Sequence, residues 1–252
     1  MDIQGTCISS IRDEHGPIYV YQTKNSRILS FDGKIYQSCM KLNNINGLNL
    51  GYTQAMMIGL MFVPTLKTAT IMGLGAGSMA KNLLYHFPEL TLHAIEYREA
   101  VAKMAKQYFS LPDTPRLIIH IDDAVNYIKT TPVKSDIIFS DLYSSSGMEL
   151  NQITSDYLFN CKNALNEQGV LVLNICHTRI DLREKLKHLL VVVFQNQLLR
   201  FTIEGGNTIV FAFKNPLPVM TPETLHSKAI SLQNKMNTPI ERYAKLLLSN
   251  LE

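Results

Sequence analysis

Residues 68–78 read TATIMGLGAGS. Thr68 to Met72 form a short apolar, β-prone run that passes directly into Gly73-Leu74-Gly75-Ala76-Gly77, and Ser78 opens a helical stretch to His86. A strand, a glycine loop and a helix in immediate succession make a ligand cradle. Glycine reaches backbone conformations closed to other residues and lets a ligand approach where a Cβ would collide. The dinucleotide fingerprint G-x-G-x-x-G needs glycine at position 78, where the chain has Ser78. The spacing of Gly73, Gly75 and Gly77 is instead the G-x-G-x-G common for sulfonium nucleosides of the S-adenosylmethionine type.

Outward from this loop, short apolar runs alternate with helical ones. Strands are predicted at Thr91–Ile95, Leu117–Ile121, Asp136–Ser140 and Gly169–Asn174. Helices are predicted at Tyr52–Phe62, Glu99–Tyr108, Tyr157–Leu165 and Leu182–Val192. Such a rhythm implies a doubly wound, mostly parallel α/β sheet covered on both faces. Leu198–Ile203 and Thr208–Phe213 read as a hairpin around Gly205-Gly206-Asn207 that adds an antiparallel edge. Residues 1–50 read as a small antiparallel β-sheet, with strands at Ile18–Tyr21 and Ile28–Phe31 and a hairpin signal at Asp32-Gly33 before Ile35-Tyr36. Thr221 ahead of Pro222 caps the first helix of a C-terminal tail, expected to pack on the main domain or on a partner subunit. The expected domains are 1–50, a nucleoside-binding Rossmann-like unit at 51–214, and a helical tail at 215–252.

Composition narrows the function. Hydrophobic residues are 46% and charged residues 18% of 252, which suits a folded globule rather than a disordered chain. A net charge of +3 is too balanced to suggest nucleic acid, and no apolar run reaches the ~18 residues of a membrane span. Cys7, Cys39, Cys161 and Cys176 form no metal-ligand or C-x-x-C spacing, so no metal is predicted. MDIQGTCISS has no secretory pattern, and a cytoplasmic location is expected.

Four acidic positions fall where such a sheet binds its ligand. Glu96 ends the strand after the glycine loop and is placed to accept hydrogen bonds from a ribose diol. Asp122 and Asp123 follow the third strand and open a helix; one suffices as N-cap, leaving the other for an adenine amino group. Asp141 ends the fourth strand, across the crevice from the glycine loop, and is the candidate for chemistry. Residues 142–151 (LYSSSGMELN) form a loop able to close over a substrate. Cys176 and His177, adjacent on an extended segment, point to opposite faces and do not form a nucleophile–base pair. Met56, Met57 and Met61 read as core, and Gly205-Gly206 as a turn.

The order of these motifs resembles the spermidine synthase family, the polyamine aminopropyltransferases, from about Ile18 to Phe213. The shared features are Phe31-Asp32-Gly33, Tyr52 opening a helix, the glycine loop, Glu96, Asp122-Asp123-Ala124, the run Ser135–Asp141 and the Asn163–Leu171 turn. The resemblance implies transfer of an aminopropyl group from decarboxylated S-adenosylmethionine to an amine such as putrescine. It assigns ribose to Glu96, adenine to Asp123, the base to Asp141 and an orienting role to Tyr52, and it suggests a homodimer. It also exposes departures. The family's glycine-loop Asp is Ala76, its second Asp after the base is Ser144, its helix-opening Y-x-E is Tyr52-Thr53-Gln54, and a tyrosine ahead of the last strand is Ile203. An S-adenosylmethionine-dependent methyltransferase on the same fold, and a non-catalytic nucleoside-binding protein, are the competing expectations.

Overall fold

The protein is described by a computed structural model over residues 3–144, 147–176 and 180–249. Four strands open the chain as an antiparallel sheet in sequential order: β1 (Thr6–Asp13), β2 (Gly16–Gln22), β3 (Ser26–Ser30) and β4 (Ser38–Lys41). β1 lies outside the sequence reading because its TCISSIRD has no alternating apolar face; it is an edge strand, largely exposed. Ile35 and Tyr36, expected to start a strand, are exposed in the turn instead, and β4 begins at Ser38.

The helix expected at Tyr52–Phe62 divides into α1 (Gly51–Met56) and a 3₁₀ turn, Met57–Phe62. Every residue of the 3₁₀ turn is buried against the sheet. At Gly59 a Cβ would meet Val172 Cγ2 at 2.6 Å, so only glycine lets this backbone lie so close.

The main sheet then builds from β5 (Thr68–Met72), α2 (Ser78–His86), β6 (Thr91–Glu96), α3 (Glu99–Tyr108), β7 (Leu117–Ile121), α4 (Ala124–Thr130) and β8 (Ser135–Ser140). A small hairpin follows, β9 (Tyr143–Ser144) with β10 (Gly147–Met148). It leads through a 3₁₀ turn to α5 (Ser155–Ala164), β11 (Leu165–Ile175), α6 (Ile180–Phe194), β12 (Leu198–Thr202) and β13 (Thr208–Phe213). The strand order is β12-β13-β11-β8-β5-β6-β7. β13 runs antiparallel between β11 and β12, so the edge strand β12 points the same way as β11. The expected antiparallel edge is therefore one strand further in, because the hairpin folds back into the sheet rather than away from it.

Alternation along the strands splits the core in two. Ile71, Ile137, Phe139, Val172 and Phe211 face the 3₁₀ turn, α2 and the C-terminal helices; Met72, Ile138, Leu171, Leu173 and Val210 face α4, α5 and α6. The C-terminal segment, α7 (Pro222–Met236) and α8 (Ile240–Leu248), joins the first of these cores. Thr221 caps α7, its hydroxyl accepting from Thr224 N at 3.2 Å, and α8 buries Ile240, Tyr243, Ala244 and Leu247 at helical spacing.

A third cluster joins the two sheets. Ile18, Val20, Leu29, Phe31 and Met40 pack on Ala76 of the glycine loop and on Val101, Met104 and Phe109. The strand order reverses between β5 and β8, which is where doubly wound folds place a ligand. The register Met72↔Ser140 brings the glycine loop and Asp141 to one level at that point.

Candidate active site

The glycine loop takes its shape from positive φ at Gly73 (94°), Gly75 (54°) and Gly77 (74°). At Gly73 a Cβ would run into the Asp141 carbonyl oxygen, so this position is glycine both for conformation and for the closeness of the two loops. The loop is also braced from outside. Ser38 Oγ on β4 accepts from Ala76 N at 3.1 Å, a contact from the N-terminal sheet that no sequence motif announces.

Glu96 is 8% exposed and faces the loop. Its Oε2 accepts from Gly75 N at 3.1 Å and its Oε1 from Arg98 N at 3.0 Å; Leu74 N also donates to the carboxyl. Burial pushes its pKa up, opposed by these donors. A carboxylate has about four acceptor sites, so capacity remains for a ribose hydroxyl.

Asp123 is the N-cap of α4: its Oδ1 accepts from Val125 N at 2.7 Å and Asn126 N at 3.4 Å. Asp122 Oδ1 accepts from Asp123 N at 2.7 Å. Each carboxylate thus uses one oxygen on local backbone, and among the described residues Asp123 Oδ2 has no such bond. The cap falls on the residue that the resemblance assigns to adenine, and it occupies Oδ1 alone.

Asp141 continues from β8 with its N–H donating to Met72 O at 3.0 Å. Its Oδ1 accepts from Asn174 Nδ2 at 2.8 Å, and the Tyr52 hydroxyl donates to the same carboxyl. Burial raises its pKa to about 6, against the lowering effect of those two donors. Burial and the adjacent Asp141 charge hold Tyr52 and Tyr143 well above the usual phenol range, so both stay protonated. The half-buried Cys176 thiol is raised by burial and by Asp141. His177 lies outside the described residues.

Beneath Asp141, Ser140 Oγ bonds Gln152 Oε1 at 3.0 Å and the Tyr157 hydroxyl at 2.9 Å, and Gln152 Nε2 donates to Leu142 O at 3.2 Å. These buried contacts fix the start of the 142–151 loop. Sequence reasoning missed Asn174, Ser140, Gln152 and Tyr143. The one signal available was a polar residue, Asn174, closing the apolar run GVLVL at the ligand end of its strand.

The departures also have places. Ala76 is fully buried in the apolar cluster under the N-terminal sheet. Gln54 is committed elsewhere, its Oε1 accepting from the Tyr243 hydroxyl of α8 at 3.0 Å and its Nε2 donating to Leu48 O at 2.7 Å. Among the described residues, Asp141's carboxyl is coupled to no other carboxylate.

A doubly wound sheet with a positive-φ glycine loop, an acid at the next strand end and a desolvated carboxylate whose backbone abuts the loop is the arrangement of a transferase of this fold. Among such transferases the chain belongs to the spermine/spermidine synthase domain family, whose model matches residues 50–197. It is an aminopropyltransferase-like transferase. A polyamine aminopropyltransferase of Vibrio vulnificus is 26% identical over 97% of this chain and 84% of its own length. In fold, the chain is similar to a probable spermidine synthase from Corynebacterium glutamicum, with TM-score 0.76 and 18% identity, covering 95% of this chain and 94% of that one. It is also similar to human methyltransferase-like protein 13 in complex with SAH, with TM-score 0.69 and 24% identity over 76% and 94% of the two chains.

Proposed function

We propose that the protein transfers an aminopropyl group from decarboxylated S-adenosylmethionine to an amine, with Asp141 as base. The carrying observation is the Asp141 carboxyl itself, desolvated, held by Asn174 and Tyr52, and packed through its backbone against Gly73. The glycine loop and Glu96 hold the nucleoside, and Asp123 Oδ2 takes the adenine amino group. The amine lone pair attacks the aminopropyl carbon next to sulfur. The C–S bond breaks with its electrons going to sulfur, methylthioadenosine leaves, and the proton lost by the new secondary ammonium passes to Asp141. A sulfonium leaves without acid assistance, so a positioned base is the main group the protein has to supply. Self-association through the N-terminal sheet, in which β1 is the outer strand among the described residues, belongs to the same reading.

One observation favours a second reading. Ala76 puts no acid beside the donor's tail, so the carboxylate of intact S-adenosylmethionine would meet no repulsion there. Incubating the protein with both donors and a pool of mono- and diamines, and reading the nucleoside by mass spectrometry, separates the two. Amine-dependent methylthioadenosine supports aminopropyl transfer. S-adenosylhomocysteine supports methyl transfer and overturns the first reading.

A further inference from the structure

The β12–β13 turn, with positive φ at Gly205 (94°) and Gly206 (89°), carries Asn207 to the site edge. The turn is closed by Ile203 N donating to Asn207 O at 2.9 Å. Its Nδ2 donates to Asn174 Oδ1 at 2.8 Å, and Asn174 Nδ2 donates in turn to Asp141 Oδ1 at 2.8 Å. The sheet register makes this chain possible. Leu173 pairs with Ser140 and Asn174 with Ile209, so Asn174 sits level with Asp141 and beside the turn. Asn174 is 1% exposed, and its backbone carbonyl accepts from the Tyr143 hydroxyl at 3.1 Å.

We propose that Asn207 and Asn174 form a one-way amide relay that positions Asp141, with Asn207 fixing which end of the Asn174 amide faces the carboxylate. An amide has a donor end and an acceptor end. With its oxygen occupied by Asn207, Asn174 can present only its NH₂ to Asp141, which favours the ionised carboxylate and holds it in one rotamer. Asn207 and Asn174 are positioning residues. Among the described residues, the other groups facing Asp141 are Tyr52 from α1, Tyr143 from β9 and Cys176 beyond β11, with Arg183 of α6 acting on Cys176. Both phenols remain neutral donors over the working range, and neither can replace the orienting role of an amide. The inference rests on reading Asp141 as the base.

The test uses three variants of the full chain at Asn207, a position on a turn where changes leave the core intact. Asn207→Leu removes the donor. Asn207→Asp supplies an acceptor, drawing the Asn174 NH₂ away and turning its oxygen toward Asp141. Asn207→Gln retains the donor. The Asp141 titration is followed by carboxyl ¹³C NMR, assigned by its loss in Asp141→Asn, alongside pH profiles of kcat and KM. We expect the Asp141 pKa to rise by about half a unit to one unit in Asn207→Leu and further in Asn207→Asp, since Asn174, released by Asn207 and then drawn toward an acceptor, holds its NH₂ less firmly on the charged carboxylate. Activity at neutral pH should fall about 10-fold in kcat with KM for the nucleoside within about twofold, and Asn207→Gln should recover most of it. A titration unmoved in both Asn207→Leu and Asn207→Asp overturns the relay. If no amine supports turnover even in the unaltered protein, the reading of Asp141 as base fails, while the titration still decides whether the relay exists.

Discussion

Asp141 shows how one residue is placed between stability and chemistry. Its pKa near 6 lies above the ordinary carboxylate value, so the folded protein binds protons more readily than the unfolded chain between about pH 4 and 6. Stability contributed by protonated Asp141 is therefore present below that window and lost as pH rises through 6. Above it, the fold carries a desolvated charge. Asp141→Asn should raise stability at pH 7 by about 1–2 kcal/mol in denaturant titrations, while lowering kcat by about 10²–10⁴-fold. In the unaltered protein, the proposed role of Asp141 predicts a rate that climbs with pH through about 6 as the carboxyl ionises. A pH–rate profile flat from 5 to 8 would remove Asp141 from that role.

Lys81 has a pKa displaced in the opposite direction. It is 2% exposed, donates from Nζ to Phe109 O at 2.6 Å, and is held down to about 8 by burial. The unfolded chain binds this proton more tightly, so stability rises with pH between about 8 and 10.5. The gain approaches about 3 kcal/mol at the top of the window. Comparing unaltered protein with Lys81→Met across that range isolates the effect from other titrating groups, and the variant should lack this part of the rise.

At the scale of elements, most of the main sheet was legible. Apolar runs such as Asp136–Ser140 and Thr208–Phe213 are buried on both faces, so their composition alone marks them as strands. The glycine loop was legible because positive φ restricts residue choice. What sequence could not show was contact between distant segments. β1 has no buried face of its own, and Asn174 acquires its place only through pairing with β13 and β8. The division of Tyr52–Phe62 into two pieces was not legible, because the close approach of Gly59 to Val172 and Ile137 is a contact between distant segments. Within the glycine loop, Gly73→Ala combines an unfavourable φ with a collision against the Asp141 carbonyl. It should lower nucleoside affinity at least 10-fold by isothermal titration and destabilise the fold by about 1–3 kcal/mol.

At the scale of the whole molecule, the N-terminal sheet packs on the glycine loop and braces it. Arg98 grips Asp13 with two bonds, Nε to Oδ2 at 3.0 Å and Nη2 to Oδ1 at 2.7 Å, donates to Gly16 O at 2.8 Å, and lies over the Phe31 ring. The guanidinium holds the Asp13 carboxyl below its usual range. The Arg98 backbone N–H simultaneously donates to Glu96, so docking of the small sheet and orientation of the Glu96 carboxylate share one residue. Arg98→Met keeps the backbone bond but strands Asp13 against the domain junction, and breaking such a pair from one side typically destabilises by about 3–5 kcal/mol when fully buried. Both side chains keep a little exposure, 9% and 15%, so the loss should fall at or below the lower end of that range. Hydrogen exchange should show where it falls: amides of β2 and β3 should lose protection before those of β5 and β8, and nucleoside affinity should weaken in parallel. Equal loss across both sheets would mean that they unfold as one unit held by the Ile18–Met40 cluster, with the ion pair adding little.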